Sequence, residues 1–343
     1  MSYPIEQKLV IAVASSALFD LSTSDKVFRE SGEAMYRQYQ REHANEHLEP
    51  GVAFPLVQRL LALNGTDSDD QPVEVILLSR NDPDTGLRVI KSIESFSLPI
   101  SRAAFVKGRS PFRYLEAFNA SLFLSGNQED VRMAVARGAP AGQVLPTDFV
   151  DDWTESELRI AFDFDGIIAD DSAEAVFKSN GLAAFLAAEA EAAAVPIPGG
   201  PLAKFFKEIA RLQQREISKR IADPEYEPRL RIAIITARNA PAHERVVTTL
   251  RGWGIQIDEV FFLGGIDKAR ILKEFRPHIF FEDQLNHLES ASRLVPCVHV
   301  PFGVANLPSA NDAVSEAINE DARRQRKPVT PAVTEAPADA DSQ

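Results

Sequence analysis

Residues 159–174 read "RIAFDFDGIIADDSAE", an apolar run that ends in Asp163 and Asp165, followed at once by Gly166. In a β-strand, residues i and i+2 point to the same side. Two carboxylates at the end of a strand repel each other unless a cation or a chemical task holds them there. The stretch is therefore either an ordinary turn or a functional site at the end of a buried strand.

Similar apolar runs recur along the chain and alternate with amphipathic stretches. The runs "KLVIAV", "VEVILLS", "AAFV" and "SLFLSG" precede the quoted stretch, and "LRIAIIT", "EVFFLGG" and "HIFFED" follow it. Short β-rich runs separated by helical patterns are typical of a parallel sheet that helices cover. We therefore predict an α/β fold with a parallel sheet and helices on both faces. The segment of about 70 residues between Asp165 and Thr236 is longer than one crossover helix needs and predicts a small helical cap.

The chain also matches itself. Residues 9–32 align without a gap to residues 158–181 with six of 24 positions identical, and residues 105–123 align to residues 262–280 with six of 19. Chance gives about one or two identities in such windows. We infer an internal duplication with an eight-residue insertion in the second copy. The alternative is that two parallel-sheet halves share a common pattern.

The second copy carries charged residues that the first copy lacks. Ala14 and Ser16 stand opposite Asp163 and Asp165. Further along the chain, Pro111 stands opposite Lys268, and Ser125 and Gly126 stand opposite Glu282 and Asp283. The first copy is therefore predicted to keep the scaffold without the chemistry.

Four elements of the second copy end in residues that could work together. They are the D-F-D-G segment, Thr236 after a strand-like run, Lys268 at a predicted helix start, and the Glu282-Asp283 pair after "HIFF". In an open α/β sheet, the carboxyl ends of neighbouring parallel strands meet in one crevice, where ligands bind. These residue types suit phosphoryl transfer through a covalent aspartyl-phosphate.

Each residue then has a predicted role. Asp163 is the nucleophile, and Asp165 protonates the leaving oxygen and later takes a proton from water. Thr236 and Lys268 bind the phosphoryl oxygens. Asp163, Asp165, Glu282 and Asp283 form the predicted set around Mg²⁺, which removes the repulsion between the carboxylates.

This ordered set resembles the haloacid dehalogenase superfamily, whose members are mostly Mg²⁺-dependent phosphatases. The segments "HIFFEDQLNH", "VTTLRGWGIQIDEVFFLGG", "GGPLAKF" and "PGVAFPLVQRLLALN" resemble the type I group of cytosolic 5′-nucleotidases, over roughly residues 8–305. The resemblance implies hydrolysis of nucleoside 5′-monophosphates, AMP or its relatives, and assigns the same residues the same roles. Some family members have D-G-D-A and D-D where this chain has D-F-D-G and E-D, which leaves open whether Glu282 or Asp283 contacts the metal.

Three parts of the chain are expected to differ in organisation. Residues 1–150 form a degenerate, non-catalytic α/β half, and residues 151–305 form the catalytic half with a helical cap over about 172–229. Residues 306–343 form a largely disordered acidic tail rich in Pro and Ala.

Several residues outside the central set are candidates for binding substrate. In the predicted cap these are Phe177, Lys178, Lys204 and Phe205, which would stack on a base or reach a phosphate. The alternative is that the phenylalanines belong to the core of the cap and the lysines are solvated. Arg238 in "TARN" would hold substrate or cap a helix, and Asn81 and Asp82 in "SRNDPDTG" would reach the nucleotide or form a turn.

Composition narrows the partners and the location. The formal charge of −13 argues against nucleic acid or an anionic membrane surface as a partner. The single cysteine and the lack of a run of about 18 apolar residues indicate a cytoplasmic protein. The expected substrate is a nucleoside monophosphate, with a nucleotide effector and a homo-oligomer left open. The alternatives are a phosphatase for another small phosphomonoester and a weakly active nucleotide sensor.

Overall fold

The apolar runs of the sequence form strands that alternate with helices. The computed structural model describes residues 3–66 and 70–307, and these ranges contain ten strands and ten α-helices. The strands are β1 (Leu9–Val13), β2 (Val73–Ser79), β3 (Arg102–Phe105), β4 (Leu122–Ser125), β5 (Ala141–Val144), β6 (Leu158–Phe162), β7 (Leu230–Thr236), β8 (Glu259–Phe262), β9 (Ile279–Glu282) and β10 (Cys297–His299). The helices are α1 (Ser15–Leu18), α2 (Ser22–Glu42), α3 (Phe54–Leu61), α4 (Leu87–Ser95), α5 (Gln128–Val135), α6 (Ser172–Glu191), α7 (Ala203–Ala222), α8 (His243–Gly252), α9 (Lys268–Phe275) and α10 (Leu285–Ala291). All but the first two residues of the predicted tail, 306–343, lie outside the described residues.

The strands form one sheet in the order β3-β2-β1-β4-β5-β10-β9-β6-β7-β8. Neighbouring strands run parallel except at the centre, where β5 and β10 pair antiparallel. The predicted α/β class with a mostly parallel sheet is therefore confirmed. Each half of the sheet has the same strand order, since β3-β2-β1-β4-β5 corresponds to β8-β7-β6-β9-β10 read from the other edge.

The antiparallel pair at the centre reverses the strand direction between the halves. The carboxyl ends of β1–β5 lie at one end of the sheet, and those of β6–β10 lie at the opposite end. Because ligand crevices form at carboxyl ends, each half offers its own crevice, and the two face opposite ways.

Hydrogen bonds at matching positions recur in the two halves. A hydroxyl on the helix after β2 or β7 accepts from a backbone amide, and an arginine one turn earlier donates to a backbone carbonyl. In the first half, Leu48 N donates to Ser92 Oγ and Arg88 Nε donates to Glu46 O, both at 2.9 Å. In the second half, Ile197 N donates to Thr249 Oγ1 at 3.0 Å and Arg245 Nε donates to Val195 O at 2.9 Å.

A glycine kinks the long helix of each half at the same aligned position. Gly32 in α2 has φ 78° and Gly181 in α6 has φ 80°, which interrupts the helical backbone. Glycine adopts this left-handed region without the steric cost that a Cβ brings. The identity that the self-alignment finds at this position therefore has a backbone reason.

The core fills both faces of the sheet. β1, β2 and β6 are buried along their whole length, as expected for strands that helices cover on both sides. In the second half, four phenylalanine rings pack together with centroid distances of 5.1–5.9 Å: Phe162, Phe205, Phe206 and Phe281. Burying each such ring contributes about 1.5–3 kcal/mol.

The region predicted as the cap, about 172–229, divides into two parts. α6 is mostly exposed and buries only Ala173 and Glu189. In contrast, α7 buries Phe205, Phe206 and Ile209 in the core that covers β6 and β9. The predicted cap is therefore too long, because α7 is a helix of the sheet-covering layer.

The described residues up to Asn306 belong to one compact unit. The two predicted halves, residues 1–150 and 151–305, contribute five strands each to its single sheet. None of the helices in the described ranges is both long enough and apolar enough to span a membrane.

Candidate active site

Asp163 is fixed at the point where β6 ends. Its backbone amide donates to Phe281 O at 2.9 Å, which extends the pairing of β6 with β9 by one residue. Its Oδ1 accepts from the backbone amide of Phe164 at 2.7 Å, and the residue is only 4% exposed. The carboxylate is therefore held in one orientation, with Oδ2 turned toward Lys268.

Lys268 is a buried cation between two carboxylates. It begins α9, directly after the N-cap residue Asp267, and its Nζ lies 2.9 Å from Asp163 Oδ2 and 2.7 Å from Glu282 Oε2. Burial would lower the pKa of Lys268, but the two carboxylates outweigh it and hold the pKa well above its usual range. The site thus keeps a permanent positive charge beside Asp163.

Glu282 is the last residue of β9, and its carboxylate contacts Lys268. Its Oε1 accepts from the backbone amide of Gln284 at 3.2 Å and lies 3.3 Å from His287 Nδ1. Burial would raise the pKa of Glu282, but Lys268 and His287 lower it to about 2. Both carboxylate oxygens are therefore committed to protein groups.

Asp283 differs from its neighbour, because neither of its carboxyl oxygens has a hydrogen-bond partner among the described residues. The residue is fully buried, and its backbone oxygen accepts from Asn306 Nδ2 at 2.9 Å. Burial, Asp163 and Glu282 raise the pKa of Asp283 to about 10. Burying two carboxyl oxygens without a hydrogen-bond partner costs folding free energy, and a bound cation would give both oxygens a partner.

Asp163, Glu282 and Asp283 together form a group that could hold a metal ion, with one oxygen of each lying within 4.8 Å of the others. Burial and Glu282 raise the pKa of Asp163 to about 7, against the opposing effect of Lys268. A bound cation would offset this repulsion. Lys268 contacts both Asp163 and Glu282, so Asp283 is the member of this group whose carboxyl oxygens have no partner among the described residues.

Gly166 makes room for Asp283. It has φ 72°, and a Cβ at this position would lie 2.6 Å from Asp283 Oδ2. Both the backbone conformation and the space therefore require glycine after the two aspartates.

Asp165 points away from this cluster and toward Arg238. Its Oδ2 accepts from Arg238 Nε and its Oδ1 from Arg238 Nη2, each at 2.7 Å. Arg238 also contacts Glu189 of α6. Burial would lower the pKa of Arg238, but Asp165 and Glu189 raise it above its usual range. Arg238 is thus placed beside the predicted acid/base residue.

Thr236 ends β7, the neighbour of β6, and is 1% exposed. Its Oγ1 accepts from the backbone amide of Arg238 at 3.2 Å. The hydroxyl hydrogen remains available to an oxygen of a ligand at this end of the sheet.

α6 brings two predicted substrate residues near the site. The side chain of Glu174 accepts from Gln284 Nε2 at 3.1 Å, which ties α6 to the end of β9. Lys178 lies 3.3 Å from Glu174, and the ring of Phe177 packs edge-on against Phe185 at 6.2 Å. Phe177 and Lys178 are both exposed, so each can contact a ligand.

The other two cap candidates lie elsewhere. Phe205 is fully buried in the core between Phe162 and Phe281 and has no surface for a base. Lys204 is exposed and its Nζ donates to Asn119 Oδ1 at 3.3 Å, in the first half of the chain. Neither residue joins the cluster around Asp163.

Asn81 and Asp82 are also separated from Asp163. They follow β2, which lies six strand positions from β6, or about 30 Å at ordinary strand spacing, and at the opposite end of the sheet. Asp82 accepts from the backbone amide of Thr85 at 2.9 Å and closes a turn before α4. Of the two alternatives for this loop, the turn is therefore the one that forms. Contact with a nucleotide bound at Asp163 is wrong, because the central antiparallel pair turns the halves away from each other.

The first half has an open crevice at the position equivalent to the site. Its cavity of about 1180 Å³ is lined by Ala14, Ser16, Ser125 and Gly126, the uncharged counterparts of the acidic cluster, and also by Asn81. Gly126 N donates to Ser16 Oγ at 3.2 Å, which replaces the acidic contacts of the second half with a neutral one.

The sequence interpretation missed Glu189 and His287. Glu189 lies in the Ala-rich run "LAAEAEAAA", where nothing marks it as buried, and His287 is one helical turn past the acidic pair. A signal for Glu189 was present, because continuing the alignment of residues 9–32 with 158–181 at the same offset places the neutral Gln40 opposite it. The charged residues of the central set show the same pattern, since each of them is charged in the second copy and uncharged in the first.

Comparison with known proteins agrees with this geometry. A family model described as 5′-nucleotidase matches residues 1–307. Human cytosolic 5′-nucleotidase 1B is 33% identical over 294 residues, which are 83% of this chain and 47% of the relative. The chain thus spans about half the length of that relative. Since the family model covers both halves of the sheet, the chain belongs to the 5′-nucleotidase family.

Proposed function

We propose that this chain is a Mg²⁺-dependent 5′-nucleotidase that hydrolyses AMP or a related nucleoside 5′-monophosphate to nucleoside and phosphate. The observation that carries the proposal is the buried cluster of Asp163, Lys268 and Asp283 in a member of the 5′-nucleotidase family. The human relative is named a cytosolic 5′-nucleotidase, and we extend the activity and the cytosolic location to this chain.

In the first step, a carboxylate oxygen of Asp163 attacks phosphorus and the bond from phosphorus to the 5′ oxygen breaks. Asp165 gives its proton to the departing nucleoside oxygen. Each Asp165 oxygen accepts one hydrogen bond from Arg238, which leaves a second lone pair on each oxygen for the proton that Asp165 transfers. Lys268 and Thr236 contact the phosphoryl oxygens and stabilise their negative charge.

In the second step, water attacks the phosphorus of the aspartyl-phosphate and the bond to the Asp163 oxygen breaks. The electron pair returns to the Asp163 carboxylate, and Asp165 takes a proton from the water. Phosphate leaves and both aspartates regain their starting protonation. The same residue thus acts first as acid and then as base.

Asp163 and Asp283 would hold Mg²⁺, together with the backbone carbonyl of Asp165. The fit rests on the two buried Asp283 oxygens that have no partner among the described residues, and oxygen donors are the ligands that Mg²⁺ prefers. When bound, the ion neutralises the nucleophile and polarises a phosphoryl oxygen. Glu282 would instead orient Lys268, since its carboxylate already contacts that amine.

We assign residues 151–305 to a haloacid dehalogenase-like catalytic half and residues 1–150 to a degenerate copy of it. The shared strand order, the recurring hydrogen bonds and the matching glycine kinks support a common ancestry of the halves. The uncharged residues at the catalytic positions of the first copy support its lack of activity.

The crevice of the first half is a poor site for a nucleotide effector. Five acidic side chains and two arginines are among the residues that line it. This excess of negative charge disfavours a phosphate group at that end of the sheet. We therefore do not place an effector there.

The direct test is phosphate release from a panel of nucleoside 5′-monophosphates and sugar phosphates, with Mg²⁺ and with EDTA. We expect a nucleotide to be the best substrate, and both EDTA and Asp163→Asn to abolish turnover. A preference for sugar phosphates would keep the chemistry and replace the substrate class. Nucleotide binding without any phosphate release would mean a sensor and would overturn the role of Asp163.

A further inference from the structure

Asp165 is the first member of a chain of ion pairs that continues through Arg238 and Glu189 to Arg245. Of these residues, only Asp165 has a role in the proposed reaction. Arg238 binds both Asp165 oxygens, and its Nη1 contacts Oε2 of Glu189. The other oxygen of Glu189 accepts from Arg245 Nη1 at 2.6 Å. The side chains of Arg238 and Glu189 are each only 2% exposed. The chain thus links the loop after β6 to α6 and α8.

The guanidinium group of Arg238 has little freedom to move. The rings of Phe164 and Phe185 lie 5.4 and 5.6 Å from it, within the range of cation–π attraction. Its Nη1 also donates to Ala242 O at 3.3 Å. A fixed guanidinium with two bonds to one carboxylate fixes the orientation of that carboxylate.

Stability alone does not explain this arrangement. Moving an ion from water into a protein interior is costly, and neutral replacements of a buried ion pair are often as stable or more stable. A buried pair is therefore weak evidence for a structural role, and a chemical role for the charges has to be considered.

The first half of the chain provides an internal comparison. The residues aligned with Asp165, Arg238 and Glu189 are Ser16, Asn81 and Gln40, all uncharged. Gln40 is 4% exposed, so the same position is buried there without a charge. The fold of a half therefore forms without this ion-pair chain.

Arg245 shows the contrasting behaviour of a structural residue. Its counterpart Arg88 is retained in the first half, and the two make the same backbone contact, Arg88 to Glu46 O and Arg245 to Val195 O, both at 2.9 Å. In the first half, the charges of Asp165, Arg238 and Glu189 are all absent, whereas the counterpart of Arg245, which makes a backbone contact, is still an arginine.

We propose that Arg238 and Glu189 are positioning residues that hold the carboxylate of Asp165 for its two proton transfers. This inference rests on the proposed function, because it assigns the pair a purpose in that reaction. Glu189 anchors Arg238, and Arg238 orients Asp165, so neither needs to touch the nucleotide. A displacement of about 1 Å of a catalytic group costs roughly 100-fold in rate.

The experiment measures kcat and KM for AMP with Mg²⁺ in Glu189→Gln and Arg238→Lys. Glu189→Gln installs the residue that the first half buries at this position, and Arg238→Lys keeps the charge but loses the two-bond contact. We expect kcat to fall about 10- to 100-fold in each variant while KM stays nearly unchanged. A kcat equal to or above that of the unaltered chain would overturn the proposal.

A double-variant comparison separates positioning from general damage. Asp165→Asn removes the group that the pair positions, so adding Glu189→Gln to it should cause no further loss of kcat. Independent losses that multiply would contradict the proposal. Asp151→Asn is the matched control, because it breaks the equally buried pair of Asp151 with Arg59, 2.7 Å apart, and should lower the melting temperature without lowering kcat.

The outcomes distinguish this inference from the proposed function. If the unaltered chain hydrolyses AMP, Asp163→Asn does not, and Glu189→Gln matches the unaltered chain, only the positioning role fails. If the unaltered chain releases no phosphate from any nucleotide, both fail together.

Discussion

Lys268 Nζ lies 2.9 Å from Asp163 Oδ2, and this buried contact joins the start of α9 to the end of β6. It brings together two residues that are more than a hundred positions apart in the sequence. The same amine contacts Glu282 at the end of β9, so one cation serves two strand ends. Asp283, the next residue along the chain, carries two buried carboxyl oxygens without a hydrogen-bond partner among the described residues.

Replacing Lys268 with Met should abolish most of the activity. The substitution leaves the Asp163 and Glu282 carboxylates buried without their shared cation, which typically costs about 3–5 kcal/mol of stability. The lost stabilisation of phosphoryl charge lowers kcat by about 100- to 1000-fold. Enzyme kinetics and urea unfolding measure the two effects. Lys204→Ala is the control, since this exposed lysine should change stability by less than about 0.5 kcal/mol.

Gly166→Ala should impair the site more than an ordinary glycine substitution does. The new Cβ would lie 2.6 Å from Asp283 Oδ2 and displace the carboxylate proposed to bind Mg²⁺. Gly254→Ala is matched in backbone conformation, with φ 68° and no atom within 4 Å of the Cβ. We expect the control to lose about 1 kcal/mol of stability and keep its Mg²⁺ dependence, while Gly166→Ala requires more Mg²⁺ for half-maximal rate. Equal Mg²⁺ requirements would count against Asp283 as a ligand.

Metal-free protein should lose stability as the pH rises. Asp163 and Asp283 ordinarily titrate at 3.8, but the fold raises their pKa values to about 7 and about 10. At these two groups the folded state binds more protons than the unfolded state above pH 4. The buried His278, whose pKa is lowered to about 3, has the opposite effect up to its ordinary value of 6.5, so the free energy of unfolding falls as the pH rises above that value. Mg²⁺ relieves the repulsion, so it should stabilise the protein more at pH 8 than at pH 5. Urea unfolding with EDTA or Mg²⁺ at both pH values measures this, and equal stabilisation would contradict it.

Phe177→Ala should weaken nucleotide binding without slowing the chemistry. The ring is 46% exposed on α6, and stacking on a nucleobase is worth about 1–3 kcal/mol. We expect KM for AMP to rise about 10-fold or more at unchanged kcat, with no change for ribose 5-phosphate. Leu182→Ala removes another exposed apolar side chain of α6, 58% exposed, and should change neither. A parallel change for both substrates would argue against base stacking at Phe177.

Much of the fold follows from local pattern. Eight of the ten strands coincide with the short apolar runs, the exceptions being β5 and β10, and the glycine shared by α2 and α6 is visible in the self-alignment. The pairing of β5 with β10 is not, because both are short strands without a charge or turn signal that specifies direction. That one antiparallel contact places Asn81 and Asp82 far from Asp163, which is why the turn, and not contact with the nucleotide, is the alternative that the structure shows for this loop.

The central site could be anticipated because parallel strands bring their ends together. Asp163, Glu282 and Asp283 lie at the carboxyl ends of the neighbouring strands β6 and β9, so the pairing of these strands is enough to bring them together. The bond between Asp165 and Arg238 depends on side-chain directions in two loops, which spacing does not report. Phe205, a candidate for stacking on a base, is instead buried in the core. The apolar face of an amphipathic helix can contact either a ligand or a sheet, and the sequence pattern does not distinguish the two.

The most direct test of the account is to trap the phosphorylated enzyme. Turnover of AMP with Mg²⁺ is quenched in acid, and the peptides are mapped by mass spectrometry in the unaltered chain and in Asp163→Asn. We expect a phosphoryl group on Asp163 in the unaltered chain and none in the variant. Rapid phosphate release with no adduct on Asp163, or an adduct on another residue, would contradict the assignment of Asp163 as the nucleophile.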